Sequence, residues 1–221
     1  MQYEVATADA VSWLASQRDM SADLVITDLP YESLEKHRAV GTTTRLKHSK
    51  ASSNDWFTIF PNSRFPELFS EIHRILKKDR HFYFFCDQPT MFVAKPLAEA
   101  AGFTFRKALV WDKVTIGMGY SYRARHEMIL YFEKGKRRLN DLGVADVLPF
   151  RRVVKGRPAE KPVELLRVLI KQSTKPGERV ADPFCGAGST GEAALLERRK
   201  FIGCDLEQSC VSYTRARLEA L

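Results

Sequence analysis

The sequence predicts an α/β protein built on one doubly wound, mainly parallel sheet. Two observations carry that prediction. Short apolar runs of strand length alternate with segments of helical periodicity along almost the whole chain. Two of the runs, Leu24-Val25-Ile26-Thr27-Asp28-Leu29-Pro30-Tyr31 and Arg179-Val180-Ala181-Asp182-Pro183-Phe184-Cys185-Gly186, end in an acid followed by a rigid or Gly-rich turn. A strand delivering functional groups to the edge of an open sheet has that form. With 221 residues the chain can bury one substantial core, and neither a repeat nor a linker divides it. The expectation is a single domain, 1–221.

The elements follow in order. Residues 2–7 read as a short strand, and Asp9 caps a helix running to about residue 16, with Val11 and Leu14 at helical spacing. Residues 23–27 form a continuous apolar strand suited to burial on both faces. The pattern then disappears over 32–54, a long, polar, basic loop of the kind that is usually functional. Leu68, Phe69, Ile72 and Leu76 mark a helix over 65–76. An aromatic-rich strand follows at 81–86, then a helix over 91–101 ended by Gly102. Strands at 107–111 and 128–132 flank a Gly- and aromatic-rich connection, and 135–160 reads as irregular and basic. Pro162 opens a helix to 173. The end of the chain reads strand 179–184, helix 190–198, strand 200–204 and helix 210–218.

The composition, 44% apolar and 28% charged, is that of an ordinary globular protein, and no stretch is apolar and long enough to cross a bilayer. The N-terminus lacks the basic start and apolar run of a secretory signal. Cys86, Cys185, Cys204 and Cys210 form no Cys-x-x-Cys pair, so they are expected to be reduced, in a cytoplasmic protein with no metal site. A net charge of +8 points to a polyanionic partner, nucleic acid above all, although a solvated basic surface accounts for charge alone equally well. The basic residues gather in three predicted loops: Arg45, Lys47, His48 and Lys50; Lys134, Lys136, Arg137 and Arg138; Arg151, Arg152, Lys155 and Arg157. From these, Arg45, Lys47, Lys50, Lys136, Arg137, Arg138, Arg151 and Arg152 are the candidate DNA contacts.

The C-terminal strand, the turn holding Gly186 and Gly188, the helix and the next strand form a β-α-β unit. Its Asp205 lies roughly 20 residues after the glycines, the spacing at which such folds hold ribose hydroxyls. No Gly-Lys-Ser/Thr follows, which removes the phosphate-loop reading, and a nucleoside without phosphates fits better than a dinucleotide. A tight turn with packing duties only is the competing reading. Asp28-Leu29-Pro30-Tyr31, by itself, reads first as an ordinary strand-ending turn.

Asp182-Pro183-Phe184-Cys185-Gly186-Ala187-Gly188-Ser189-Thr190 resembles the S-adenosylmethionine loop of the amino-group DNA methyltransferases, and Asp28-Leu29-Pro30-Tyr31 resembles their catalytic tetrapeptide. Residues 160–166 resemble the family's helix before the cofactor loop, and Trp111-Asp112-Lys113 with His126-Glu127-Met128-Ile129-Leu130 its late-sheet segment. The catalytic strand precedes the cofactor loop, as in the permuted beta-type arrangement. The resemblance implies a Rossmann-like S-adenosylmethionine-dependent methyltransferase fold. It implies S-adenosylmethionine as cofactor and duplex DNA with a flipped target base as partner, and it allows a homodimer.

An exocyclic amine is a poor nucleophile because its lone pair is delocalised into the ring. Methyl transfer needs acceptors that draw the amine hydrogens out of plane. The resemblance gives that role to the carboxylate of Asp28 and the carbonyl of Leu29, with Pro30 stiffening the turn and Tyr31 offering a face to the extruded base. The family usually has proline where Leu29 stands, so the acceptor survives while rigidity is lost. An acid at Asp28, where many cytosine-directed members have serine, favours adenine N6 as target, with cytosine N4 as the alternative. An RNA methyltransferase and a catalytically silent binding module are the remaining readings. Cofactor contacts are expected from Asp9, Asp28, Lys161, Asp182, Pro183, Phe184, Cys185, Gly186, Gly188, Ser189, Thr190 and Asp205. Asp9 reads equally as a helix cap, Lys161 as a solvated lysine and Phe184 as a core aromatic. His126 reads as structural. The two loops 32–54 and 135–160 are too short for an independent base-reading domain. Recognition is therefore expected to be relaxed, of short sequence, or completed by a second subunit.

Overall fold

A computed structural model describes residues 2–34, 58–117, 122–157 and 159–221. Its eight strands are β1 (Tyr3–Thr7), β2 (Ala22–Thr27), β3 (Leu76–Cys86), β4 (Thr104–Asp112), β5 (His126–Lys134), β6 (Val147–Pro149), β7 (Arg179–Asp182) and β8 (Lys200–Asp205). They form one sheet in the order β1-β8-β7-β2-β3-β5-β4-β6. The pairs from β1 across to β3 are all parallel. β5 runs antiparallel between β3 and β4, and β6 adds a parallel edge.

The helices are α1 (Ala10–Ser16), α2 (Phe65–Ile75), α3 (Gln88–Ala100), α4 (Val163–Ser173), α5 (Ser189–Leu196) and α6 (Gln208–Glu219). None among the described residues is long and apolar enough to cross a membrane. α2 turns Phe65, Leu68, Phe69, Ile72 and Ile75 inward, one apolar stripe at helical spacing. These side chains pack on Val25, Phe82, Phe84 and Phe132 on one face of the sheet. Leu165, Leu166, Leu169 and Ile170 of α4 pack on the other face with Leu24, Ile26, Tyr83 and Phe85. Alternation along β3 sends Phe82 and Phe84 one way and Tyr83 and Phe85 the other, while every residue of β2 is buried.

Two expectations need correction. β3 begins five residues before the predicted strand and takes in Lys77, Lys78, Asp79 and Arg80. The buried Asp23 carboxylate accepts hydrogen bonds from Lys77 (2.8 Å), Arg80 (3.0 Å) and the Arg179 N–H (3.0 Å), which lets so polar a stretch join the sheet. The segment 135–160 is not wholly irregular, because its residues Val147–Pro149 pair with Val110–Asp112 at the sheet edge.

Candidate functional site

The parallel strands β1, β8, β7, β2 and β3 all point the same way, so their C-terminal ends share one edge. Each delivers an aspartate there, at its last position or just after it: Asp9, Asp205, Asp182, Asp28 and Asp87. β7 and β2 are neighbours, and their onward connections leave in opposite directions, toward β8 and toward β3. That is the switch point of a doubly wound sheet, where crevices open. A cavity of about 410 Å³, within the range of small-molecule sites, lies there, lined by Asp28, Tyr31, Phe60, Lys161, Asp182, Phe184 and Asp205 among others.

The Gly-rich loop is built by its own backbone and its immediate neighbours. Gly188 N–H donates to the Cys185 carbonyl (2.7 Å) and Cys185 N–H to the Cys204 carbonyl (2.9 Å). Gly186 N–H donates to Asp205 Oδ2 (2.9 Å) while Asp205 Oδ1 accepts from the Glu207 N–H (2.9 Å). Gly188 caps α5 at φ +77°, and a Cβ there would lie 2.9 Å from Thr214. Gly191 completes the G-x-G-x-x-G spacing with Gly186 and Gly188, so the glycine count does not by itself separate a nucleoside from a dinucleotide. A Cβ on Gly191 would meet the Phe201 ring at 2.9 Å, which makes it a packing glycine between α5 and β8.

Asp182, Pro183, Cys185, Ser189 and Thr190 are buried beneath this loop, with Phe184 half-buried against Phe60, the two rings edge to face at 5.2 Å. Burial pushes the Asp182 carboxyl up to about 7, against the Phe184 N–H that donates to it at 3.0 Å. These groups suit a cationic, nucleoside-bearing ligand: two carboxylates, backbone without side-chain bulk, and an aromatic wall.

The second loop is held differently. Leu29 is 2% exposed and lies in the core with Phe60, Phe65 and Phe69. Packing thus replaces the ring that a proline would have supplied. Pro30 offers its carbonyl to the Phe60 N–H (2.8 Å), and Tyr31 bridges to Phe60. No described residue donates a hydrogen bond to the Leu29 carbonyl. Tyr31 is 7% exposed, more deeply buried than an open stacking platform, with the cavity along one side, and burial pushes its hydroxyl up.

Asp28 opens this loop, and the Lys161 ammonium donates to its Oδ2. Lys161 is buried and lies 3.6 Å from Glu127 Oε2, with the rings of Phe85 and Trp111 at 5.5 and 5.8 Å from its nitrogen. Burial pushes the Asp28 carboxyl up, and the Lys161 charge pulls the other way. Burial would neutralise Lys161, but Asp28 and Glu127 outweigh it and hold the ammonium above its ordinary value. Lys161 therefore reaches the loop of Asp28 and lines the cavity, and it is not the solvated lysine that the sequence equally allowed.

Asp9 both caps α1, accepting from Ser12 N–H (3.1 Å), and takes the Arg64 guanidinium bidentately at 2.8 and 3.0 Å. Those bonds from Arg64 bring its carboxyl down to about 2. Both lie on the cavity wall.

Sequence reasoning missed Glu127, Arg64 and Phe60. Glu127 is near the start of its strand, which would put it at the far edge of a parallel sheet. β5 is antiparallel, so its first residues lie beside the site. Nothing in the local pattern signals that reversal.

The basic clusters separate. β6 ends at the edge that carries the site, and the exposed Arg151 and Arg152 follow it there. Lys136, Arg137 and Arg138 follow β5 to the opposite edge, and the structure does not bring them to the cavity. Arg137 is committed to that edge, its carbonyl accepting from His81 Nε2–H (3.1 Å) and its guanidinium 3.9 Å from Glu178. Arg45, Lys47 and Lys50 lie outside the described residues.

Comparison with known proteins agrees with this geometry. The family model described as DNA methylase, for N6 and N4 methyltransferases, matches residues 22–151 and 144–216. YubD of Escherichia coli (strain K12), which carries a provisional methylase name, is 30% identical over 216 residues, 96% of this chain and 88% of that protein. The crystal structure of M1.HpyAVI with SAM superposes at a TM-score of 0.72, with 21% identity over 98% of this chain and all of that one. The cytosine-N4-specific PvuII DNA methyltransferase superposes at 0.76, with 17% identity over 98% and 86%. The chain belongs to the amino-group DNA methyltransferases, S-adenosylmethionine-dependent enzymes, here with β2 and the Asp28 loop ahead of β7 and the Gly-rich loop in the chain.

Proposed function

We propose that this methyltransferase acts on the N6 amine of adenine in duplex DNA, with the target base turned out of the stack into the cavity. The observation that carries the reading is the acid at Asp28, adjoining a backbone acceptor, the Leu29 carbonyl, to which no described residue donates. S-adenosylmethionine supplies a methyl group on a sulfonium, already a good electrophile, so the protein's contribution is position and electrostatics. Asp28 and the Leu29 carbonyl accept the two amine hydrogens and turn the nitrogen lone pair toward the methyl. Asp28 also stabilises the positive charge that develops on the amine and need not remove a proton beforehand. As N–CH3 forms and S–CH3 breaks, S-adenosylhomocysteine leaves and the surplus amine proton passes to the Asp28 carboxylate and on to solvent. Tyr31 and Pro30 border the base.

On the cofactor side, Asp182 pairs with a cationic group and Asp205 with ribose hydroxyls. Phe184 packs on the ligand, and the backbone at Gly186 and Gly188 admits it closely. Ser189 and Thr190 close the loop from the first turn of α5. Arg151 and Arg152 neutralise phosphates at the site edge.

Mass spectrometry of nucleosides from duplex DNA incubated with enzyme and cofactor tests the assignment. N6-methyl-2′-deoxyadenosine in the DNA digest is the expected product. N4-methylcytosine would overturn the target base, and methylation confined to structured RNA would overturn the substrate.

A further inference from the structure

Lys161 lies between two carboxylates brought from distant strands. Its ammonium donates to Asp28 Oδ2 and to the Ala159 carbonyl (3.4 Å), and stands 3.6 Å from Glu127 Oε2, just beyond hydrogen-bonding length. That Glu127 oxygen is buried and has no hydrogen-bond partner among the described residues, although Oε1 faces Lys113 at 3.2 Å. A buried carboxylate oxygen without a donor is unfavourable, and one that persists calls for a partner in another state. The rings of Phe85 and Trp111 flank the ammonium and can cradle it along a short path between the two acids.

We propose that Lys161 has two stations, on Asp28 before the target base enters and on Glu127 once the amine has taken Asp28. The proposal rests on the reading that Asp28 receives the amine. An ammonium bound to Asp28 competes for the acceptor that the amine needs. Its charge also opposes the positive charge that develops on the amine during transfer. Moving to Glu127 relieves both effects and leaves no buried charge unpaired. Glu127 is thus a positioning residue, acting through Lys161 without touching the substrate. The other charged group facing it, Lys113, holds Oε1 and leaves Oε2 to receive the lysine.

Glu127→Gln keeps the shape and removes the charge that draws Lys161 across. Its kcat should fall roughly ten- to a hundredfold, the loss expected for one misplaced charged hydrogen bond. Affinity for S-adenosylmethionine by calorimetry should stay within about twofold. The acid limb of its kcat profile should move to lower pH, because Lys161 stays on Asp28 and keeps it ionised. In a Lys161→Met background Glu127→Gln should cost nothing further. An unchanged kcat, an unmoved acid limb, a parallel loss of cofactor affinity or additive losses in the double variant would each overturn the proposal.

A structure of the wild-type enzyme with duplex DNA and S-adenosylhomocysteine decides the point without any variant. Lys161 Nζ should then be hydrogen-bonded to Glu127, and finding it still on Asp28 overturns the proposal. Asp28→Ala separates the two levels. If that variant still methylates, the reading of Asp28 itself fails. If it is inactive while Glu127→Gln is unaffected, only the movement of Lys161 fails.

Discussion

The two loops that meet at the switch point are secured by opposite means. The loop over 182–190 is tied by bonds to its own residues and to the neighbouring strand end, with Gly186 N–H on Asp205 and Gly188 N–H on Cys185. The loop at 28–31 has few such bonds. It is held by Leu29 in the core, by Phe60 beside Tyr31 and by Lys161, which lies 133 residues from Asp28 in the chain. A loop of the first kind tolerates changes in its surroundings and fails when its own backbone is strained. A loop of the second kind fails when distant packing is disturbed.

Substitutions can sharpen or break that contrast. Asp28→Ala has the largest expected effect, a loss of roughly 10²–10³-fold or more in methyl transfer, with cofactor affinity by calorimetry nearly unchanged. Equal loss of both would assign Asp28 to the cofactor site or to the fold. Leu29→Ala should lower stability by about 2–5 kcal/mol in denaturant unfolding, the range for a truncated core leucine, and slow methylation with it. A surface-like cost below about 0.5 kcal/mol would mean that packing does not hold the catalytic loop.

Gly188→Ala should cost about 1–3 kcal/mol, from strain at φ +77° and crowding on Thr214, and should weaken cofactor binding more than it slows turnover of the bound complex. If kcat falls instead while affinity holds, the two loops are not separable in this way.

The pH dependence of cofactor binding is a smaller effect with a definite sign. Burial raises Asp182 to about 7, so the cofactor-free protein holds a neutral acid below that pH and a carboxylate above it. Affinity for the cationic cofactor should therefore rise by about tenfold between pH 6 and 8. Calorimetry across that window should show the rise, and Asp182→Asn should remove it. The smallest effect concerns the outer rim. Replacing Arg151 and Arg152 with Gln should reduce the slope of log affinity for DNA against log salt by about one each. The same changes at Lys136 and Arg138, on the opposite edge, should leave the slope unchanged.

The alternation of strands and helices, the burial of β2 on both faces and the acids Asp9, Asp28, Asp182 and Asp205 at strand ends were legible in the sequence, whereas Asp87 after β3 was not read from it. Each depends on spacing within a few residues: a period of two or 3.6, a cap, a turn residue. The Gly-rich loop and Asp205 belong to the same class, since one β-α-β unit carries them all. Tertiary structure alone decided that β5 runs antiparallel and brings Glu127 to the site. It also decided that Lys161 meets Asp28, that Leu29 substitutes packing for a proline ring, and that one basic cluster stands at the site while another stands behind it. These relations join residues far apart in the chain. Side-chain reach, burial and charge pairing set them after the sheet has formed, and no local pattern encodes them.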